Sequence, residues 1–541
     1  MRGSAGADFV RQSYGSRPGG VDDHGEFQFA DEEDGFYTIH QASEKMPCGM
    51  LNSCELQQIS NFTLSSDERI FMKQSMILST LLFTLTGQLQ ADDQSELKTE
   101  AVAVMRRAGS YYHGEVSLHG GYVYFYSLDL RQRWGEGSAG DNQAWVQPPG
   151  TPTVGMAFLR AWAATGDRFY LDAARDAAAA LAYGQLRGGG WTNSIDLSGR
   201  SKGYRFSGGN RRRDGNSSLD DGQTQSAIQL VIRVDQALGF KDEVIHDSAM
   251  FALDSLLAAQ FPNGAFPQVW TGPVDDQPVM KSSYPSYDWR TEGRIRNYWD
   301  MYTLNDNVCD YVADALIDAH RIYGGERYLQ ALRKLGDFLI LAQMPEPQRG
   351  WAQQYSYEMK PIWARRFEPA AMAGDETQEV IGTLMKIATF TGDAKYLEPI
   401  PAALAWLKRS LLPDGQIARY YELETNRPLY MSRQGKDYSL TYDDSQLPKH
   451  YGWKWPSRID ELATKLAQCK SGYVPAAPAA NEASVRKVIS QLDDQGRWIS
   501  TYDGARLVGQ AKMTVGAKYL SSEVFSNNLT LLSDFVSLPR N

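Results

Sequence analysis

The chain has 541 residues, of which 42% are hydrophobic and 22% charged, a globular composition that excludes a chain disordered along its length. Its formal net charge of −10 argues against nucleic acid as a partner, and a polyanionic ligand would have to be met by local clusters of Arg against the global field. Of four cysteines, Cys48 and Cys54 fall in an N-terminal extension, and Cys309 and Cys469 lie too far apart for a zinc motif or a disulfide framework.

Residues 1–71 are rich in Gly, Asp and Ser, lack hydrophobic periodicity, and read as an extension outside the folded protein. From Met72 the chain runs through Lys73 into a ten-residue apolar run, Met76–Leu85, and reaches Ala91 before Asp92. A basic start, a short apolar run and a small residue before an acidic one are the plan of a secretory signal peptide, too short to span a bilayer. The expectation is a signal at 72–91 and a secreted or periplasmic mature chain beginning near Asp92, with no membrane segment.

Residues 92–150 read as a helix followed by a loop and strand segment, the strand at Gly120–Tyr126. From residue 151 the chain turns helical and repeats. One recurring part is a helix-to-helix turn: Thr165-Gly166-Asp167, Tyr323-Gly324-Gly325-Glu326 and Thr391-Gly392-Asp393, where Gly closes one helix and an acidic residue opens the next. The other closes the following helix: QLRGGGW (185–191), QFPNGAF (260–266), QMPEPQRGW (343–351) and LPDGQI (412–417), at intervals of roughly 65–85 residues. Hairpins of this kind bury their apolar stripes only by packing side by side. The predicted fold is mainly α, an α/α toroid of helical hairpins over residues 151–470 with long loops and a few short strands; an open solenoid is the alternative. Residues 471–541 read as a C-terminal extension with strands packed on the toroid.

Three stretches carry polar groups that a helical core does not need. Ser218-Leu219-Asp220-Asp221-Gly222-Gln223 opens one helix and Tyr302-Thr303-Leu304-Asn305-Asp306-Asn307 another. Each supplies an ordinary N-cap, but a cap needs one carboxylate and not two adjacent ones. Brought together, Asp220, Asp221 and Asp306 offer hard oxygen ligands suited to calcium. The third stretch is Trp363-Ala364-Arg365-Arg366-Phe367-Glu368-Pro369, whose two guanidinium forks match carboxylates; Arg419, Arg427 and Arg433 follow. Taken singly, each Arg reads equally well as half of a surface ion pair. Together, carboxylates for a divalent cation and several Arg suit an acidic polysaccharide, and in particular β-elimination at a uronate. There the charge developing on the carboxylate oxygens is what must be stabilised.

Five ordered segments carry a resemblance to the family-ten pectate lyases over roughly residues 184–450: SLDDGQT (218–224), FPNGAFPQ (261–268), LNDNV (304–308), WARRFE (363–368) and ARYYELETNRPLYMSRQ (418–434). The resemblance implies an α/α toroid, calcium as cofactor, and β-elimination of a polygalacturonate-like polymer to 4,5-unsaturated products; the enzyme is expected to act as a monomer. It also implies roles. Arg365 matches the family's base, Asp220 and Asp306 match its carboxylates at the metal and substrate site, and Arg419 and Arg433 match Arg residues that hold substrate carboxylates; beside these, Arg366, Asp221, Tyr302 and Asn307 are expected as further substrate contacts. An Arg base implies an alkaline optimum. The chain departs from the family in carrying Asp221 for Asn, Arg366 for a small residue, and a longer, more basic segment at 269–300; these bear on which uronate polymer is taken. A toroid glycoside hydrolase with paired Asp220 or Asp221 and Asp306, a terpene-cyclase-like toroid, and a non-catalytic carbohydrate binder remain the alternatives.

Overall fold

The computed structural model describes residues 94–199, 204–205, 216–292, 295–473 and 481–537. The expected extension (1–71) and signal segment (72–91) lie outside the described residues. The helices are α1 (residues 94–111), α2 (Thr151–Thr165), α3 (Arg168–Gly184), α4 (Gln223–Ala237), α5 (Glu243–Ala258), the one-turn α6 (Trp289–Glu292), α7 (Val308–Tyr323), α8 (Glu326–Ala342), α9 (Gly374–Thr391), α10 (Ile400–Arg409), α11 (Ile459–Ser471), α12 (Glu482–Ser490) and α13 (Ser522–Ser537). They form an α/α toroid. The inner helices pack in the order α13, α2, α4, α7, α9, α11, and the outer helices α3, α5, α8 and α10 lie against them.

The turn between the helices of a hairpin is set by an acidic cap. Asp167 accepts from the Phe169 amide ahead of α3, Asp242 from Ile245 ahead of α5, and Asp393 from Lys395 ahead of α10. The recurring Gln-to-Trp segment is the device that joins neighbours. The amide of Gln185 donates to Gly189 within its own turn and to Ser248 of α5 at 3.0 Å. Gln260 does the same toward Gly264 and Ala331 of α8, and Gln343 toward Arg349 and Pro399 at the head of α10. Each buried Trp indole then returns to the helix it closes, Trp191 to the Leu181 carbonyl and Trp351 to that of Leu339, both at 2.7 Å. The outer helices α3, α5 and α8 are each tied in this way to the next one around the ring.

The C-terminal residues differ from the expectation of a strand-rich extension. Two short strands exist, Ile499–Thr501 and Lys518–Ser521, the second pairing antiparallel with Phe125–Ser127. The mass of the segment, however, is helical, and α13 packs along α2. Residues 491–498, QLDDQGRW, form a further copy of the repeat turn: Trp498 donates to the Val488 carbonyl at 2.9 Å, and Gly496 (φ 85°) lies so close to α1 that a Cβ would sit 2.7 Å from the Arg107 carbonyl oxygen. Gly120 (φ 84°) makes the same approach to the Asp176 carbonyl of α3. The ring therefore runs on through both chain ends, from α12 to α1 to α3, and the toroid draws on residues from 94 to 537 and not on 151–470 alone. No helix among the described residues is long and apolar enough to cross a membrane.

Candidate active site

The two acidic helix starts fold alike. Asp220–Gly222 and Asn305–Asn307 each form one 3-10 turn ahead of α4 and α7, and the two turns pack against each other. Each contains two consecutive left-handed residues, Asp221 (φ 44°) and Gly222 (φ 72°) in one, Asp306 (φ 53°) and Asn307 (φ 55°) in the other. A non-glycine residue held there costs about 1–3 kcal/mol and persists where its surroundings enforce it. Gln268 donates to Asp220 at 2.7 Å, Gln147 to Asp221 at 3.0 Å, and the Asn305 amide to Asp306. Burial, then the charge of Asp221, raises the Asp220 carboxyl to about 7, with Arg365 opposing. Burial, then Asp220, pushes Asp306 well up, against Arg365 and Arg419.

The guanidinium side is built on the 363–368 turn. The Ala364 amide donates to the Glu368 carbonyl and the Glu368 amide to that of Arg365, which folds the Glu368 carboxylate back onto Arg365. The Arg365 guanidinium donates to it at 2.6 Å and its backbone amide at 3.0 Å. Burial alone would raise the Glu368 carboxyl, but Arg365 overrides it and holds it at about 2. Burial alone would likewise lower the Arg365 pKa, and Glu368 overrides that, leaving the group firmly charged. Tyr451 donates to the same carboxylate at 2.7 Å, and its ring lies 4.3 Å from the Arg419 guanidinium carbon and 5.7 Å from that of Arg365. Arg419 is buried and donates to Glu376 at 3.3 Å. Burial raises Glu376 to about 7 with Arg419 opposing, and raises its neighbours Asp375 and Glu379 as well.

The structure thus brings together Arg365, Arg419, Asp220, Asp221 and Asp306 from four separate stretches. Arg366 and Arg433 lie toward the hairpin Pro428–Gln434 and Asp437–Thr441: Arg366 donates to the Lys436 carbonyl at 3.4 Å, and the exposed Arg433 to that of Gly435 at 2.8 Å. Asn307 is the N-cap residue of α7, beside Asp306. Tyr302 is a correction: it is fully buried, its ring packed edge-on to Phe261, Phe338 and Tyr357, and no polymer can reach it. It falls beside the motif in sequence, yet strand pairing of Tyr302–Thr303 with Gln354–Tyr355 turns it into the core. Arg290 of the basic 269–300 segment is engaged by Glu422 at 2.7 Å, while Tyr298 and Trp299 of that segment pack with Ile362 and Ala364 behind the Arg365 turn. Cys309 is a core residue whose thiol burial pushes up.

Several members of the site escaped the sequence analysis. Glu368 lay inside a segment already singled out. Asp375 and Glu376 open α9 as Asp220–Asp221 and Asp306 open α4 and α7, so the acidic start of every second helix was the available signal. For Tyr451 and for Glu136 and Gln147 of the N-terminal segment, no local pattern marks them out.

Oxygen is the prevailing chemistry of the centre. Buried oxygens without a hydrogen-bond partner include Asn305 Oδ1, Gln225 Oε1, Gln354 Oε1 and Glu376 Oε2, which suits a hard divalent cation. Among the described residues no three His, Cys, Asp or Glu side chains are placed to hold a metal ion by themselves.

Residues 185–418, a little under half of the chain, match the family described as pectic acid lyase. Solved structures similar to it include the family 10 polysaccharide lyase from Cellvibrio cellulosa, at 22% identity and TM-score 0.41, covering 55% of this chain and 92% of that one. A mutant of that lyase in complex with trigalaturonic acid is similar at TM-score 0.40, with the same identity and coverage. Cellobiose 2-epimerase from Bacillus thermoamylovorans is also similar, at 13% identity and TM-score 0.38, over 68% of this chain and 99% of that one. No curated protein matches the chain.

Proposed function

We propose that this protein is an exported polysaccharide lyase that cleaves a uronate polymer, polygalacturonate or a close relative, by calcium-assisted β-elimination. The observation that supports it best is the convergence of two guanidinium groups, the partly buried Arg365 and the buried Arg419, with the carboxylates of two adjoining helix starts. An anionic substrate answers the first set and a divalent cation the second. The acidic oxygens fit calcium provided that amide oxygens and substrate carboxylates complete its shell; Asp220 and Asp306 would hold it. When bound, the ion would draw charge onto the uronate carboxylate and acidify the proton beside it.

The chain's own residues then do the rest. Arg419 orients the uronate carboxylate through charge-assisted hydrogen bonds. Arg365 takes the C5 proton; the electron pair forms the C4–C5 double bond, the C4–O bond breaks, and the leaving oxygen departs with its pair to be protonated by solvent. Glu368 sets the difficulty of this step, because it holds Arg365 charged. Deprotonation therefore demands alkaline pH, and the acid limb of the rate profile reports it.

The test follows the ultraviolet absorbance of the unsaturated product on polygalacturonate and other uronate polymers, with calcium and with chelator. A calcium-dependent rise lost in Arg365→Ala is the expected result. The raised Asp220 carboxyl, near neutrality at about 7, also suits the acid of a glycoside hydrolase. Release of reducing ends without any absorbance rise would establish that reaction and overturn elimination.

A further inference from the structure

Gln147 and Glu136 lie before residue 185, outside the stretch matched to the pectic acid lyase family, yet Gln147 touches its carboxylate centre and Glu136 touches Gln147. The Gln147 amide nitrogen is shared between two carboxylates, Glu136 Oε1 at 2.9 Å and Asp221 Oδ2 at 3.0 Å. Its amide oxygen in turn accepts from Gln223 of α4 at 3.2 Å. Gln147 is itself buried, and its backbone is anchored: strand Gln143–Trp145 pairs with Ser194–Asp196, and the Val146 amide donates to the Asn193 carbonyl at 2.7 Å. The hairpin that carries Glu136 is braced by Arg133, which donates to the carbonyls of Gly140 and Asp141. Glu136 Oε2 is buried with no hydrogen-bond partner. Charge from Arg365 reaches Glu136, and both Glu136 and Asp221 act on the buried, unpartnered Tyr124 phenol.

We propose that Gln147 is a positioning residue for Asp221, and that the N-terminal segment is thereby a working part of the active site. A single N–H2 group placed between two carboxylates holds both apart and fixes which oxygen of Asp221 faces Gln147 and which is left for the centre. Gln223 fixes the amide's own orientation, since a flipped amide would turn its oxygen toward two carboxylates. The inference rests on the lyase proposal for what Asp221 does, but not for how Asp221 is held.

The experiment compares wild type, Gln147→Leu, Asp221→Ala and the double variant. Gln147→Leu keeps the volume and removes the donor. Its calcium dependence, read from half-maximal rate and from the calcium-induced rise in Tm, is expected to weaken by about tenfold, the scale of losing an outer partner in a metal site, because Asp221 adjoins Asp220 and its charge acts on it. In the Asp221→Ala background the same change is expected to add less than about twofold, because the two residues act as one unit. A loss of Tm in chelator with unaltered calcium dependence would reduce Gln147 to a packing residue and overturn the proposal. If wild type shows neither calcium-dependent rate nor calcium-induced shift, the lyase proposal falls, and the crystal structure of Gln147→Leu decides alone. Asp221 displaced while Asp220 stays supports positioning; an unmoved Asp221 overturns it.

Discussion

The starts of α4 and α7 are two copies of one device with exchanged side chains. In backbone terms the left-handed Asp221 corresponds to Asp306, and the preceding Asp220 to Asn305. Sequence motifs single out Asp220 and Asp306, which occupy different steps of the turn. The copies also differ in surroundings: Asp306 is under the charge of both Arg365 and Arg419, whereas Asp221 is held by Gln147 from the N-terminal segment. The same fold element therefore delivers one carboxylate to the guanidinium pair and another to an outlying network. Position in a repeat gives a side chain its place, and the neighbours give it its task.

That contrast orders the expected effects. Asp306→Asn keeps the shape of the turn and removes the charge facing both Arg; kcat/KM on the preferred polymer should fall by about 10²–10³-fold, as when one preorganised electrostatic group is lost. A fall no greater than that of Asp221→Asn would break the distinction between the two helix starts. Glu368→Gln tests the guanidinium side. Glu368 raises the Arg365 pKa, so removing its charge lowers it, and a base that must lose its proton becomes active at lower pH. The acid limb of kcat/KM should move down by about one pH unit, the scale of one close charge; a lowered rate with an unmoved limb would make Arg365 a clamp and not the base.

Asp221→Asn installs the residue expected from the family pattern, and Gln147 can still donate to its amide oxygen. A loss of about tenfold or less, seen mainly in the calcium dependence, is the expected outcome. A smaller effect concerns stability. The Asp220 carboxyl is raised in the folded state to about 7, above its ordinary value near 4, so the folded chain binds the extra proton. Its contribution is present at low pH and is lost as pH rises through about 4 to 7. In chelator, Asp220→Asn should flatten the fall of Tm with pH across that window, and an unchanged fall would show that Asp220 is ionised throughout. Arg366→Ala, whose guanidinium reaches toward the Lys436 carbonyl at 3.4 Å, should change Tm and rate least; double-mutant comparison with Arg365→Ala would expose any coupling.

Much of the architecture was legible because it is written in short-range terms. A helix end needs a cap and a glycine or polar turn within a few residues, so Thr391-Gly392-Asp393 and Gln185–Trp191 announce hairpins wherever they occur. The same local logic exists at Gln491–Trp498, within the residues taken for strands. Ring continuity through the chain ends was not legible, since Gly496 against α1 and Phe125 against Ser521 join residues hundreds of positions apart.

The sequence by itself determined the hairpins, the acidic helix starts and the Arg-bearing turn, because capping, turn formation and carboxylate–guanidinium chemistry depend on adjacent residues. Tertiary structure decided which of these side chains meet. It sent Tyr302 into the core, set Arg419 and Arg365 on either side of the Tyr451–Glu368 contact, and carried Glu136 and Gln147 to Asp221. Charge acts through space and burial strengthens it, and neither distance nor burial is a property of neighbours along the chain.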